Sequence, residues 1–297
     1  MSTTRVDARP ATLTRPVAYW GLTKPDVTFL VVITTLAGYY MGSSGPVDYI
    51  RFAGTVFGTT LMAMGTASLN HYIERNPDSR MRRTANRPLP IGSLQPREAL
   101  VFGLALDIAG AAYLVLLVNP LACLLGVLTT VTYLGVYTPL KRHTHHATTI
   151  GSFPGALPPL IGWAAARGSL SVDAWVLFGI LFFWQFPHFL SIAWMYRKDY
   201  ERAGIRMISV GDSTGTATFG QIIWTAAVLV PVSLLPAVTG LAGIHYFFEA
   251  LILGMLLVQV CVWAARSKSN GHARWLMHAT AIYLPLLLAL MMLNKIG

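Results

Sequence analysis

The chain has 297 residues, 54% of them hydrophobic and 11% charged, with a formal net charge of +10 at pH 7. So little polar surface excludes an ordinary water-soluble fold and requires a bilayer as solvent. The basic excess does not point to a nucleic-acid partner, because the cations fall in short links between apolar runs, where they set orientation in a membrane.

Residues 1–24 contain Arg5, Arg9, Arg15 and Lys24 but neither an apolar core nor a small-residue cleavage site, so they read as a flexible cytoplasmic arm, not a signal peptide. Residues 25–297 read as one transmembrane domain. Apolar runs predict an all-α integral membrane protein with nine spans near 26–42, 50–73, 99–118, 120–138, 149–166, 172–195, 219–239, 245–265 and 275–294. With the N-terminus in the cytoplasm and the C-terminus outside, all of the 22 Lys and Arg residues except Arg51, Arg167 and Lys295 fall on the cytoplasmic side. The inner (plasma) membrane is the expected location, and the chemistry is expected on its cytoplasmic face.

The second span runs into Asn70-His71-Tyr72-Ile73-Glu74-Arg75-Asn76-Pro77-Asp78, followed by Arg80, Arg82, Arg83 and Arg87. On an unbroken helix, Asn70, Glu74 and Asp78 rotate by only about 40° and climb about 6 Å per step, forming one oxygen-lined stripe. Such a stripe suits Mg²⁺, which bridges one or two carboxylates to substrate phosphates. Pro77 disfavours helix at Asn76, so Asp78 is expected past a kink. Guanidinium forks match phosphate oxygens, and acids beside arginines suggest a metal-diphosphate clamp. The bland alternative is an orienting basic loop with two neutralised acids.

Asp107, in the third span, and Glu249, in the eighth, are intramembrane acids and hence functional candidates, though neither has a counter-charge at helical spacing. Cys123 and Cys261 lack partners at metal or redox spacing and read as packing residues. The fourth span ends in a loop with Lys141, Arg142, His143, His145 and His146, where the cations can reach the same anion and the histidines read as a solvated cluster. The fifth span begins Gly151-Ser152-Phe153-Pro154-Gly155-Ala156-Leu157-Pro158-Pro159, a composition that permits close packing or a broken helix facing a cavity. The sixth span holds Trp184-Gln185-Phe186-Pro187-His188 and is followed by Lys198-Asp199. Asp199 can face the first acidic segment, and His188 is either a substrate contact or a hydrogen-bonded core residue.

These segments together resemble the UbiA superfamily of intramembrane prenyltransferases and, within it, the protoheme IX farnesyltransferases. The resemblance is carried by Asn70 through Pro90, Tyr137 through Thr144, Gly151 through Trp163 and Trp184 through His188, with Lys24-Pro25 and Ala273-Arg274-Trp275-Leu276 in support. It departs at Glu74, where Asp is common in the superfamily, and at Lys198, where a second acid is common. The resemblance implies a UbiA-like bundle in which Asn70, Glu74, Asp78 and Asp199 hold Mg²⁺ on farnesyl diphosphate. Arg83, Arg87, Lys141 and Arg142 would bind the diphosphate, and His188 would contact heme b, a substrate. The implied product is heme O, passed to a downstream heme A synthase. Two other readings stay open: an aromatic acceptor in place of heme, and a transporter, for which the paired interrupted halves are missing.

Overall fold

The structure, a computed structural model, describes residues 13–46 and 48–296. The helices in chain order are α1 (Arg15–Leu22), α2 (Pro25–Gly42), α3 (Tyr49–Asp78), α4 (Pro96–Leu117) and α5 (Pro120–Val131). The last runs on through a π-helical turn, Thr132–Tyr137, into α6 (Thr138–Leu140). There follow α7 (Ala147–Gly155), α8 (Pro158–Arg167), α9 (Val172–Met195), α10 (Arg197–Arg202), α11 (Ile208–Gly211), α12 (Thr216–Val238), α13 (Ile244–Ser267) and α14 (Asn270–Leu293). Proline opens α2, α4, α5 and α8, where its missing N–H costs nothing.

Among the described residues, seven helices are long and apolar enough to cross a bilayer: α3, α4, α5 through α6, α9, α12, α13 and α14. Of the two remaining expected spans, 26–42 is the shorter α2, with Thr28, Thr34 and Thr35 buried. The other, 149–166, is divided between α7 and α8. The break at Ala156-Leu157 lies between Gly155 and the Pro158-Pro159 pair that starts α8. The first twelve residues of the expected arm lie outside the described residues. Its remainder includes α1, whose Ala18 and Leu22 are buried against Leu89, Leu94 and Ala99.

Small residues let the helices approach closely. A Cβ at Gly58, Gly65, Gly103 or Gly110 would collide with the facing helix of the α3–α4 pair, and one at Gly38 or Gly162 would strike backbone across the α2–α8 pair. Asn119 fixes the tight α4–α5 link: its Oδ1 accepts from Ala122 N at 2.8 Å and its Nδ2 donates to Ala164 O at 2.8 Å. At that same end of the bundle, Arg167 Nε donates to Gly42 O (2.7 Å) and Lys295 Nζ to Ser43 O (2.6 Å). Arg51 there faces Asp48.

Candidate active site

At the other end, α3 delivers the acids. The helix does not stop before Asp78, as Pro77 led us to expect: α3 continues through Pro77 to Asp78. The missing proline donor falls in the helix's last turn, where Arg80 N and Ser79 N still find Pro77 O (3.0 Å) and Arg75 O (3.3 Å). Asn70, Glu74 and Asp78 therefore share one helix as an unbroken stripe, and all three are buried.

Each member of the stripe meets a cation or a polar neighbour from a different element. Lys24 Nζ donates to Asn70 Oδ1 at 2.6 Å, and Asn70 Nδ2 donates to Thr138 Oγ1 at 3.3 Å. Lys141, just beyond α6, forms an ion pair with Glu74. Burial works against the Lys141 ammonium, but the Glu74 carboxylate outweighs it and raises its pKa. Arg87 Nη1 binds Asp78 Oδ2 at 2.8 Å, and Thr84 Oγ1 donates to Asp78 O at 2.8 Å, folding the arginine loop back over the end of α3.

Asp199, on α10, is buried beside this loop. Arg202 pairs with it, and its Oδ2 accepts from Arg83 N at 3.4 Å. The Arg83 guanidinium lies over the Tyr196 ring at 4.7 Å and reaches Tyr200 Oη at 3.2 Å. A backbone bond from Arg206 N to Lys141 O (3.0 Å) and a bridge between His146 and Met207 tie the α6–α7 and α10–α11 links together. Arg142 is exposed in the former link. Asn70, Glu74, Asp78, Asp199, Arg83, Arg87, Lys141 and Arg142 thus belong to segments that meet at one end of the bundle.

The donor set fits a hard cation. Every candidate ligand offers oxygen, and Asp78 Oδ1 is buried without a hydrogen-bond partner among the described residues. Among the described residues, no three His, Cys, Asp or Glu side chains converge closely enough to hold an ion by themselves. Mg²⁺ binds through one or two carboxylates and takes the rest of its shell from water and phosphate oxygens.

Below the acids, a cavity of about 270 Å³ reaches into the bundle, lined mainly by apolar side chains of α2, α3, α5, α7 and α9. Lys24 stands at its polar end, and Met62, Leu114 and Gly126 line its deep part. The π-helical turn places Tyr133 and Tyr137 in its wall. Gly151, Pro154, Gly155 and Pro158 form another wall, so the break between α7 and α8 faces a cavity.

His188 is placed differently. Gln185, Phe189 and Ile192 of α9 line the cavity, whereas His188 stacks on Trp184 and bonds Thr280 Oγ1 of α14 at 2.9 Å through Nδ1. Thr280 directs its own proton to Met277 O at 2.7 Å, so Nδ1 is the donor and Nε2 carries the lone pair. Glu249 accepts from Asn294 Nδ2 at 3.0 Å, far along the chain from the acidic stripe.

Lys24 is the site residue that motif reasoning passed over. Its signal in the sequence was the Lys24-Pro25 pair that opens α2, which counted only toward the resemblance; in the structure its φ is +45°, left-handed for a residue with a side chain. Burial, reinforced by the charge of Arg87, lowers its pKa to about 7, against the opposing pull of Glu74.

Residues 31–291 match the UbiA prenyltransferase family. A protein of Solibacter usitatus named protoheme IX farnesyltransferase is 46% identical, over 94% of this chain and 99% of its own. The chain belongs to the UbiA prenyltransferase family, in its protoheme IX farnesyltransferase branch. The UbiA fold is shared with digeranylgeranylglyceryl phosphate synthase (TM-score 0.77, 16% identity, 94% of this chain and 98% of that one). It is shared also with a UbiA homologue of Archaeoglobus fulgidus bound to DMAPP and Mg²⁺ (TM-score 0.64, 13% identity, 92% and 97% covered).

Proposed function

We propose that this UbiA-family enzyme transfers the farnesyl group of farnesyl diphosphate to a vinyl group of protoheme IX, with addition of one water, giving heme O and diphosphate. The observation that carries this reading is the stripe Asn70, Glu74 and Asp78, ringed by Lys24, Lys141 and Arg87 at the mouth of an apolar cavity. The 46% identity to a protoheme IX farnesyltransferase selects the acceptor.

Asn70, Glu74, Asp78 and Asp199 would hold Mg²⁺, which supplies charge neutralisation for the departing diphosphate. The chain's own cations do the rest of that work. Lys141 and Arg87, with Arg83 and Arg142 at the rim, meet the negative charge that grows on the leaving group. Farnesyl in the cavity is shielded from water, and the aromatic rings of Tyr133 and Tyr137, which line it, can stabilise the allylic cation by cation–π contact. His188 contacts the porphyrin through Nε2, the nitrogen its bond to Thr280 leaves unprotonated.

Residues 25–297 form the catalytic domain in this reading, with nine spans, the N-terminus and active site cytoplasmic, and the C-terminus outside. The gathering of Arg51, Arg167 and Lys295 at the end away from the acids supports that orientation in the plasma membrane. Heme O would then pass to a heme A synthase.

The deciding experiment incubates purified protein with Mg²⁺, farnesyl diphosphate and heme b and weighs the products. A heme adduct carrying one farnesyl group and one water is expected, with diphosphate released. Prenylation of an aromatic acid in place of heme would overturn the acceptor.

A further inference from the structure

Asp107 takes no part in the site described above. It lies in the middle of α4, buried, and its Oδ1 accepts from Thr66 Oγ1 of α3 (3.3 Å) and from Thr130 Oγ1 of α5 (3.2 Å). The two hydroxyls are themselves 2.7 Å apart. Both threonines line the cavity, and Asp107 Oδ2 is buried with no hydrogen-bond partner among the described residues. Gly65 makes the arrangement possible: a Cβ there would lie 2.7 Å from Asp107 N and 2.9 Å from its Cγ. Any side chain at that position would drive the acid away from Thr66.

The three oxygens form a closed triangle, and its edges need one proton each. The threonines supply only two. With Asp107 ionised the triangle is one proton short, and with Asp107 protonated at Oδ1 it is complete. The cluster is therefore built to take up a proton, at a cavity wall with two hydroxyls available to a water. Thr66 lies one helical turn, about 6 Å, below Asn70. That places it nearer the acidic stripe, where the bond-forming end of a bound prenyl chain lies, than Thr59, the α3 residue that lines the cavity about two turns further down.

We propose that Thr66 and Thr130 hold the water that completes the product, with Asp107 as the positioning residue that takes its proton through them. The proposal rests on heme b being the acceptor. Bond formation between farnesyl C1 and the outer vinyl carbon leaves positive charge on the vinyl carbon attached to the ring. The water oxygen gives a lone pair to that carbon, forming the C–O bond. One of its protons passes to a threonine hydroxyl, which releases its own to the Asp107 carboxylate. Without this relay the cation loses a proton from carbon and yields an alkene, one water lighter.

The test is the ratio of dehydrated to hydroxylated farnesyl-heme in wild type, Asp107→Asn, Thr66→Val and Thr130→Val, read by mass per diphosphate released. Loss of general-base assistance slows hydration by about 10²-fold, so the alkene should become the main adduct in Asp107→Asn. Thr130→Ser, which restores the hydroxyl, should return the wild-type ratio. A purely structural role would lower both adducts together, and an unchanged ratio in Asp107→Asn and Thr130→Val overturns the inference. If Asp107→Asn does not fold, the Thr130→Val and Thr130→Ser pair decides alone. Wild-type protein that releases diphosphate yet makes no heme adduct overturns the acceptor reading instead.

Discussion

Lys141 and Glu74 form an ion pair in which the side chains are only 11% and 7% exposed, linking the end of α6 to the acidic face of α3. Removing one partner strands the other charge, at a cost of about 3–5 kcal/mol, whereas removing both is far less costly. Lys141→Met should therefore lower the melting temperature in detergent by several degrees. The double variant Lys141→Met, Glu74→Gln should recover most of that loss while staying inactive, because it lacks both a metal-facing oxygen and a diphosphate cation. A double variant no more stable than Lys141→Met would show that the pair carries no such coupling.

Asp78 offers a second, separable disruption. Its Oδ2 is held by Arg87, and Oδ1 has no hydrogen-bond partner among the described residues. Asp78→Ala removes the oxygen available to a cation and releases Arg87, yet it leaves the Thr84 bond to the Asp78 carbonyl in place. Diphosphate release should fall by at least about 10²-fold, with the protein still inserted and monodisperse by size exclusion. Near-normal turnover would remove Asp78 from the ligand set.

Chelation tests the cation directly. Mg²⁺ is usually bound through one or two carboxylates, with substrate phosphates supplying the rest of the shell, so in the proposed reading the acidic stripe and the diphosphate hold it together. EDTA should stop diphosphate release, and Mg²⁺ added in excess should restore it without refolding. Isothermal titration of Mg²⁺ should show much tighter binding with a non-hydrolysable farnesyl diphosphate analogue present than without it. Equal affinity in both conditions would mean that the residues form a complete metal site on their own.

Which features were legible in the sequence follows from their range. Asn70, Glu74 and Asp78 were readable because four-residue spacing is a local property of a helix, and the arginines because positive loops announce themselves. The pairing of Glu74 with Lys141 and of Asn70 with Lys24 was not, since each joins helices distant in sequence. Pro77 misled because its local rule assumes a helix that must go on; one turn from the end, it breaks nothing. The division of the fifth span was half visible in Gly155 and Pro158-Pro159. Asp107 looked isolated because its partners, Thr66 and Thr130, are neutral and lie on other helices.

The α2–α8 contact predicts a stability effect remote from the chemistry. A Cβ at Gly162 would strike Thr35 O, and one at Gly38 would strike Pro159 O, both rigid backbone atoms. Gly162→Ala should cost about 1–3 kcal/mol through overpacking. Melting curves followed by tryptophan fluorescence should show the loss. Ala at Gly135, which faces open space, should melt like the wild type. Equal melting temperatures for both variants would mean that α2 and α8 can separate freely.

His188 tests how heme is recognised. Its Nδ1 is committed to Thr280, which fixes the ring and leaves Nε2 with the lone pair an iron ligand needs. Stacking on Trp184, with ring centroids 5.1 Å apart, holds the imidazole plane as well. His188→Ala should weaken heme b binding by roughly tenfold or more and change the heme absorption spectrum, while farnesyl diphosphate binding is retained because the acidic stripe is untouched. Thr280→Val keeps the imidazole but frees its tautomer, so it should weaken binding by less. If His188→Ala binds heme b with wild-type affinity and spectrum, the residue serves only to lock α9 against α14, and the porphyrin must be gripped from the cavity side by Gln185 and Phe189.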